Sequence, residues 1–112
     1  MDIEKAQRAV DDWIEKYGIR YFDEKTNMLI LMEEVGELSR WMARSYGEQS
    51  FKAPVKENLV KESITDEMAD IFFVLLCLCN QMDIDLSTAF VKNLDKKSRR
   101  DSGRHKENPR LK

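Results

Sequence analysis

"SITDEMADIFFVLLCLC", residues 63–79, decides the fold. From Ile71 to Cys79 nine residues in succession are apolar, too few for a bilayer, which takes about 20 on a helix. The stretch reads as part of one helix from about Leu59 to Gln81, and a helix that is apolar all round is buried on every side. Four helices in 112 residues can hardly cover one so completely. The sequence therefore predicts a second copy packed through a symmetric helical interface, giving a homodimer or homotetramer. Cys77 and Cys79 would point about 200° apart on this helix, which supports neither a disulfide between them nor a zinc site. Buried, reduced thiols in a cytoplasmic protein are expected instead.

Working outward, the chain resolves into three more helices and no strand. The first is expected from about Ile3 to Tyr17, with Ile3, Ala6, Val10, Trp13 and Ile14 at helical spacing and Gly18 as its stop. A second starts near Asp23 or Thr26, both suitable N-caps, and runs to Tyr46, where Gly47 ends it. Residues 47–58, "GEQSFKAPVKEN", form the longest loop. A fourth helix follows a short turn capped by Asp83 or Asp85 and covers about Leu86 to Arg99. Residues 1–100 are expected to be one all-α domain, a four-helix bundle; 101–112 form a basic polar tail, expected to be extended or disordered. Hydrophobic residues at 42%, charged residues at 36%, four Gly and two Pro fit a helix-rich globular chain. No charged-then-apolar leader opens it, so nothing in the sequence points to secretion.

The net charge of −2 hides an asymmetry: residues 91–112 carry nine Lys or Arg against three Asp or Glu, and the first ninety carry ten against eighteen. An acidic body with a basic C-terminal segment suits an anionic partner that the body holds through a bridging cation.

Carboxylates sharpen that expectation. On the second helix Met28, Leu31, Met32, Val35, Leu38 and Met42 make the expected core stripe. Glu34 and Glu37 lie on another line, Ile30, Glu34, Glu37, Trp41, bracketed by apolar residues. Ser63, Glu67, Asp70, Val74 and Cys77 repeat the device on the third helix. At i±3 and i±4 neither Glu67 nor Asp70 has a Lys or Arg, Glu34 has none, and Glu37 has only Arg40. Unpaired carboxylates on a half-buried face are costly unless a cation neutralises them. All-oxygen ligation suits Mg²⁺, with Mn²⁺ as a substitute, rather than zinc. A Glu-rich helix is commonly just a solvated face, but the second acid pair and the missing basic partners argue otherwise here. A di-iron carboxylate bundle would need Glu-x-x-His motifs, and the single histidine is His105 in the tail.

These residues carry a resemblance. "EEVGE" (Glu33–Glu37) followed by "EMAD" (Glu67–Asp70) resembles the EExxE and ExxD signature of the MazG-like nucleoside triphosphate pyrophosphohydrolases, with an interval of 29 residues, Leu38 to Asp66. The resemblance covers Ile3 to about Arg100. It implies an oligomeric helical bundle that hydrolyses an NTP or dNTP at the α-phosphorus to the monophosphate and pyrophosphate. By position it implies Glu34, Glu37, Glu67 and Asp70 as Mg²⁺ ligands. Glu33 would be an outer residue, a ligand of a further ion or the group orienting the attacking water. On the fourth helix "KNLDKKSRR" departs from the relatives' order, since Asn93 stands where they carry Lys and Lys97 where they carry Asn. Lys97 and Arg100, with Lys52 in the loop, are the expected phosphate contacts. Trp13, Tyr21, Phe22, Trp41 and Phe51 are the aromatic candidates for stacking a base, and Trp41 leads because it shares the acids' line.

Two other readings compete: a non-catalytic module that binds Mg²⁺ and nucleotide as a sensor, and a helical protein whose basic tail meets nucleic acid. The tail lacks the interleaved aromatics that stacking needs, and an acidic body repels a polyanion, so nucleic acid is not expected as a partner, nor is a membrane.

Overall fold

The computed structural model describes residues 1–100 and 103–112, together with the backbone of Ser102. It is all-α: α1 (Ile3–Trp13), a π turn (Ile14–Gly18), α2 (Glu24–Tyr46), α3 (Glu57–Gln81), α4 (Leu86–Arg100), α5 (Ser102–Glu107) and a 3₁₀ turn (Pro109–Leu111), with no strand among the described residues. No single helix is long and apolar enough to cross a membrane.

Local chemistry sets the boundaries. Asp2 caps α1 by accepting from the Lys5 N–H at 2.7 Å, and Asp23 caps α2 by accepting from the Thr26 N–H at 2.7 Å. Asp85, not Asp83, caps α4 through the Thr88 N–H and hydroxyl, at 3.2 and 2.8 Å. The first helix does not run regularly to Tyr17. Its last turn widens into the π turn, and Gly18 does not take the left-handed cap; Ile19 does, with φ 70°. There Arg20 N–H bonds Gly18 C=O at 2.7 Å, closing a γ-turn, a strained geometry for a β-branched residue. Gly47 ends α2 for a steric reason: a Cβ there would stand 2.6 Å from the Ala43 carbonyl oxygen. The tail also differs from expectation, since most of it is helical. Arg104, His105 and Lys106 in the last turn of α5 suit its dipole, and Asn108 caps the final turn by accepting from Arg110 N–H at 3.0 Å.

α2 and α3 pack side by side along their lengths, and α1 packs across the C-terminal half of α3. Val10, Leu76 and Cys77 form the buried centre, with Ala6, Ile14, Tyr21, Phe73 and Leu86 against it. Cys77 and Cys79 are free and buried, and burial pushes the Cys77 thiol up to about 11, as expected of an inert thiol. Polar side chains lock the layers. Asn80 donates to the Gln7 carbonyl at 2.9 Å and to Tyr21 Oη at 3.0 Å. Gln7 donates to Asn80 and to the Ile84 carbonyl, and accepts from the Leu86 N–H at 3.0 Å, which fixes the corner where α4 begins.

The expected core stripe of α2 is a correction. Met28, Met32, Val35 and Met42 are exposed in the single chain, and the line Ile30, Glu34, Glu37, Trp41 is the half-buried face turned to α3. Hydrophobic period shows that a face is covered, not which neighbour covers it. On α3 Met68, Phe72 and Leu75 remain exposed, so one chain does not bury that helix all round. The Cα radius of gyration is 17.8 Å, well above the ~13 Å of a compact chain of this length.

Candidate active site

Helix packing brings the two acid pairs to one place. Glu34, Glu67 and Asp70 each present a carboxylate oxygen, and the three oxygens lie within 4.8 Å of one another. Glu37, half-buried one turn along α2, faces Arg40 at 3.6 Å. Glu33 points to solvent.

The electrostatics are those of carboxylates forced together. Glu67 Oε2 is buried without a hydrogen-bond partner. A proton shared with Glu34, then burial and the charges of Glu34, Asp70 and Glu37, push Glu67 up to about 7. Burial, with the charges of Glu34 and Asp66, raises Asp70. Such a cluster is stabilised by a cation, and three converging carboxylates with an orphaned oxygen are a hard-cation donor set.

Beyond the acids, toward the N-terminus of α2, lies a partly open cavity of about 340 Å³. Trp13, Tyr21, Phe22, Ile30, Phe73 and Val74 line it, so its walls are mostly aromatic and apolar. Ile30 is one turn before Glu34 and Val74 one turn after Asp70, which places cavity and acids on one continuous strip. Trp13 meets Phe73 edge-on, with ring centres 5.6 Å apart. Asn27, the buried polar residue of α2, donates to Gln81 at 2.7 Å and to the Phe22 carbonyl at 3.3 Å, holding the segment that closes the cavity. Trp13, Tyr21 and Phe22 were legible as aromatic candidates, but Phe73 was not, because it sits inside the apolar run.

Toward the other end of α2, Trp41 is half-buried against Phe51, ring centres 5.5 Å apart. Lys52 is exposed on the loop and borders an open cavity there with Arg44 and Phe51. Arg44 is a residue that sequence reasoning missed: it is half-buried, and its Nε has no hydrogen-bond partner. The signal was present in its i+3 step from Trp41. Asn93 lies instead in a shallow apolar cavity between α3 and α4, and Lys97 and Arg100 are exposed near the end of α4. The structure thus brings together Glu34, Glu67 and Asp70, sets Glu37 and Trp41 beside them, and does not bring Asn93, Lys97 or Arg100 of the same chain to that place.

The chain resembles known proteins over most of its length. Residues 22–105 match the MazG nucleotide pyrophosphohydrolase domain. The Bacillus subtilis (strain 168) protein YpjD, uncharacterised, is 37% identical over 98 residues, spanning 88% of this chain and 85% of YpjD. The crystal structure of YpjD from Bacillus subtilis superposes with a TM-score of 0.74 at 34% identity, covering 86% of this chain and 94% of that one. The Bacillus-conserved MazG protein, a nucleotide pyrophosphohydrolase, gives 0.73 at 32% identity, over 92% and 96% of the two chains. With helix order, paired acids and domain match in accord, the chain belongs to the MazG family of nucleotide pyrophosphohydrolases.

Proposed function

We propose that this chain is a Mg²⁺-dependent pyrophosphohydrolase that cleaves an NTP or dNTP between the α- and β-phosphates, water adding to the α-phosphorus and pyrophosphate leaving. The observation that carries the reading is the meeting of Glu34, Glu67 and Asp70 beside a partly open aromatic cavity. Glu34, Glu67 and Asp70 would hold Mg²⁺, with Glu37 completing the set once it leaves Arg40. Mn²⁺ would serve the same ligands. When bound, the ion supplies neutralisation of the triphosphate and a more acidic water.

The remaining work falls to the chain. Glu33, on the solvent side of the acids, orients the attacking water. The cavity between Trp13, Tyr21, Phe22 and Phe73 seats the base, because every base has a π-face and the walls offer apolar area with few polar atoms. Trp41 with Phe51 is the second stacking surface, at the opposite end of the strip. Arg44 and Lys52, which line one cavity with Phe51, are the cations offered there for the phosphates. The reading also includes self-association, through apolar residues left exposed on α2 and α3, Met32, Val35, Met68 and Leu75. A role in clearing surplus or non-standard nucleotides in the cytoplasm would follow from such a reaction.

The test is pyrophosphate release from a panel of canonical and modified NTPs and dNTPs, with Mg²⁺, with Mn²⁺ and with EDTA. Metal-dependent release with the matching monophosphate is expected. Binding of nucleotide with no turnover on any member would replace the enzyme by a sensor.

A further inference from the structure

The mouth and the floor of the aromatic cavity differ in kind. Trp13 and Phe22, 48% and 61% exposed, stand at the mouth with the exposed Arg20. Val74, Cys77 and Asn27, at 7%, 3% and 5%, form the floor. Val74 is apolar and a thiol is only a weak donor, so the polar character of the floor rests on the Asn27 amide.

The orientation of that amide is set by its neighbours. The Phe22 carbonyl can only accept, and it receives one N–H from Asn27 Nδ2 at 3.3 Å and another from Gln81 Nε2. With its nitrogen there, Gln81 turns Oε1 to Asn27 Nδ2, 2.7 Å away. Both Asn27 N–H groups are thus engaged, and a flipped amide would set its oxygen against two other oxygens. Oδ1 is what remains. No donor among the described residues reaches it, and it is the acceptor that Asn27 offers to the cavity it lines. A buried acceptor without a donor is costly, and a ligand that brings an N–H removes the cost.

Position along α2 decides which part of a nucleotide meets that oxygen. Asn27 precedes Glu34 by seven residues, so the two lie on one face about 10 Å apart along the helix. With the α-phosphate at the acids, the sugar spans the turn at Ile30 and the base enters the cavity with its sugar outward. The edge that reaches the floor is then the one farthest from the glycosidic bond. In a pyrimidine that edge carries the C4 substituent, in a purine the C6 substituent. An amino group there donates to Oδ1. A keto oxygen there meets Oδ1 lone pair to lone pair, and the ring N–H beside it reaches the amide only if the base slides against the aromatic walls.

We propose, resting on the function proposed above, that Asn27 is a specificity-determining residue of the site: it selects nucleotides with an amino group on that edge, the 4-aminopyrimidines and 6-aminopurines, over their keto counterparts. Gln81 is the positioning residue, since it holds the Asn27 amide with its oxygen toward the base.

Substrate pairs that differ at this edge alone test it. Wild type should favour dCTP over dUTP and ATP over ITP by about 10–100-fold in kcat/KM. Equal values, or a preference for the keto member, overturn the proposal while leaving the pyrophosphohydrolase intact. Asn27→Leu keeps the volume and removes the acceptor. Once shown to be folded by circular dichroism, it should bring both ratios close to one; ratios kept at the wild-type value overturn the assignment to Asn27. A further measurement needs neither turnover nor a variant: calorimetry of wild type with dCMP and with dUMP, each in Mg²⁺. Tighter binding of dCMP by a similar factor is expected. Equal binding, or binding of neither, overturns the proposal. Wild type that hydrolyses no nucleotide yet binds dCMP over dUMP would sink the reaction and leave the selection by Asn27 standing.

Discussion

Glu67 carries the cost of the site, and that cost has a sign. Its folded value of about 7 stands above the ordinary 4.5, so between those pH values the unfolded chain has released a proton that the folded chain keeps. Stability without a divalent ion is therefore full below about 4.5 and is lost as pH climbs toward 7. In EDTA the melting temperature of wild type should fall between pH 5 and pH 8. Glu67→Gln should flatten that slope and melt roughly 5 °C higher at pH 8. Mg²⁺ should raise the wild-type value at pH 8 and leave Glu67→Gln nearly unmoved. An identical pH slope in both proteins would remove Glu67 from the cluster. Asp70→Asn tests the same cluster by turnover: the fold should survive by circular dichroism while activity drops about 100-fold or more, some 3 kcal/mol of transition-state stabilisation. Near-wild-type rates would show that Asp70 holds nothing essential.

Among the helices, the paired acids were readable because their chemistry leaves a sequence trace: carboxylates on an apolar strip without cations at i±3 or i±4. The four long helices were readable for the same reason, and the caps at Asp23 and Asp85 were each one of two candidates, each being a local preference. Which face of α2 meets α3 was not, because its helical wheel carries two candidate strips and period alone cannot assign neighbours. Nor was the widened turn at Ile14–Gly18, which tertiary packing imposes on an otherwise ordinary helical sequence. The aromatic cavity followed from that turn and from Phe73, and neither has a signature. At Gly47 the close approach to the Ala43 carbonyl, rather than a left-handed backbone, demands glycine. Gly47→Ala should accordingly cost about 1–3 kcal/mol, read as a lower denaturant midpoint at unchanged slope. A neutral result would mean that the end of α2 shifts freely.

At the scale of the molecule the argument turns on apolar area that one chain does not cover. Met28, Leu29, Met32 and Met42 of α2, Met68 and Phe72 of α3, and Phe90, Val91 and Leu94 of α4 are all more than a third exposed. Exposed apolar area on that scale is what an interaction surface supplies. Gly36, Ser39 and Ala43 lie among the α2 residues and would let a second helix approach closely. A symmetric interface doubles the effect of one substitution, since each copy contributes the altered residue. Val35→Lys combined with Met68→Lys should therefore place four charges in the interface of a dimer, enough to dissociate it. The helical content should be kept, because both positions already face solvent in the single chain. Light scattering should give a multiple of 13.2 kDa for wild type and 13.2 kDa for the variant. A wild type that stays monomeric at roughly 50 μM would refute the interface.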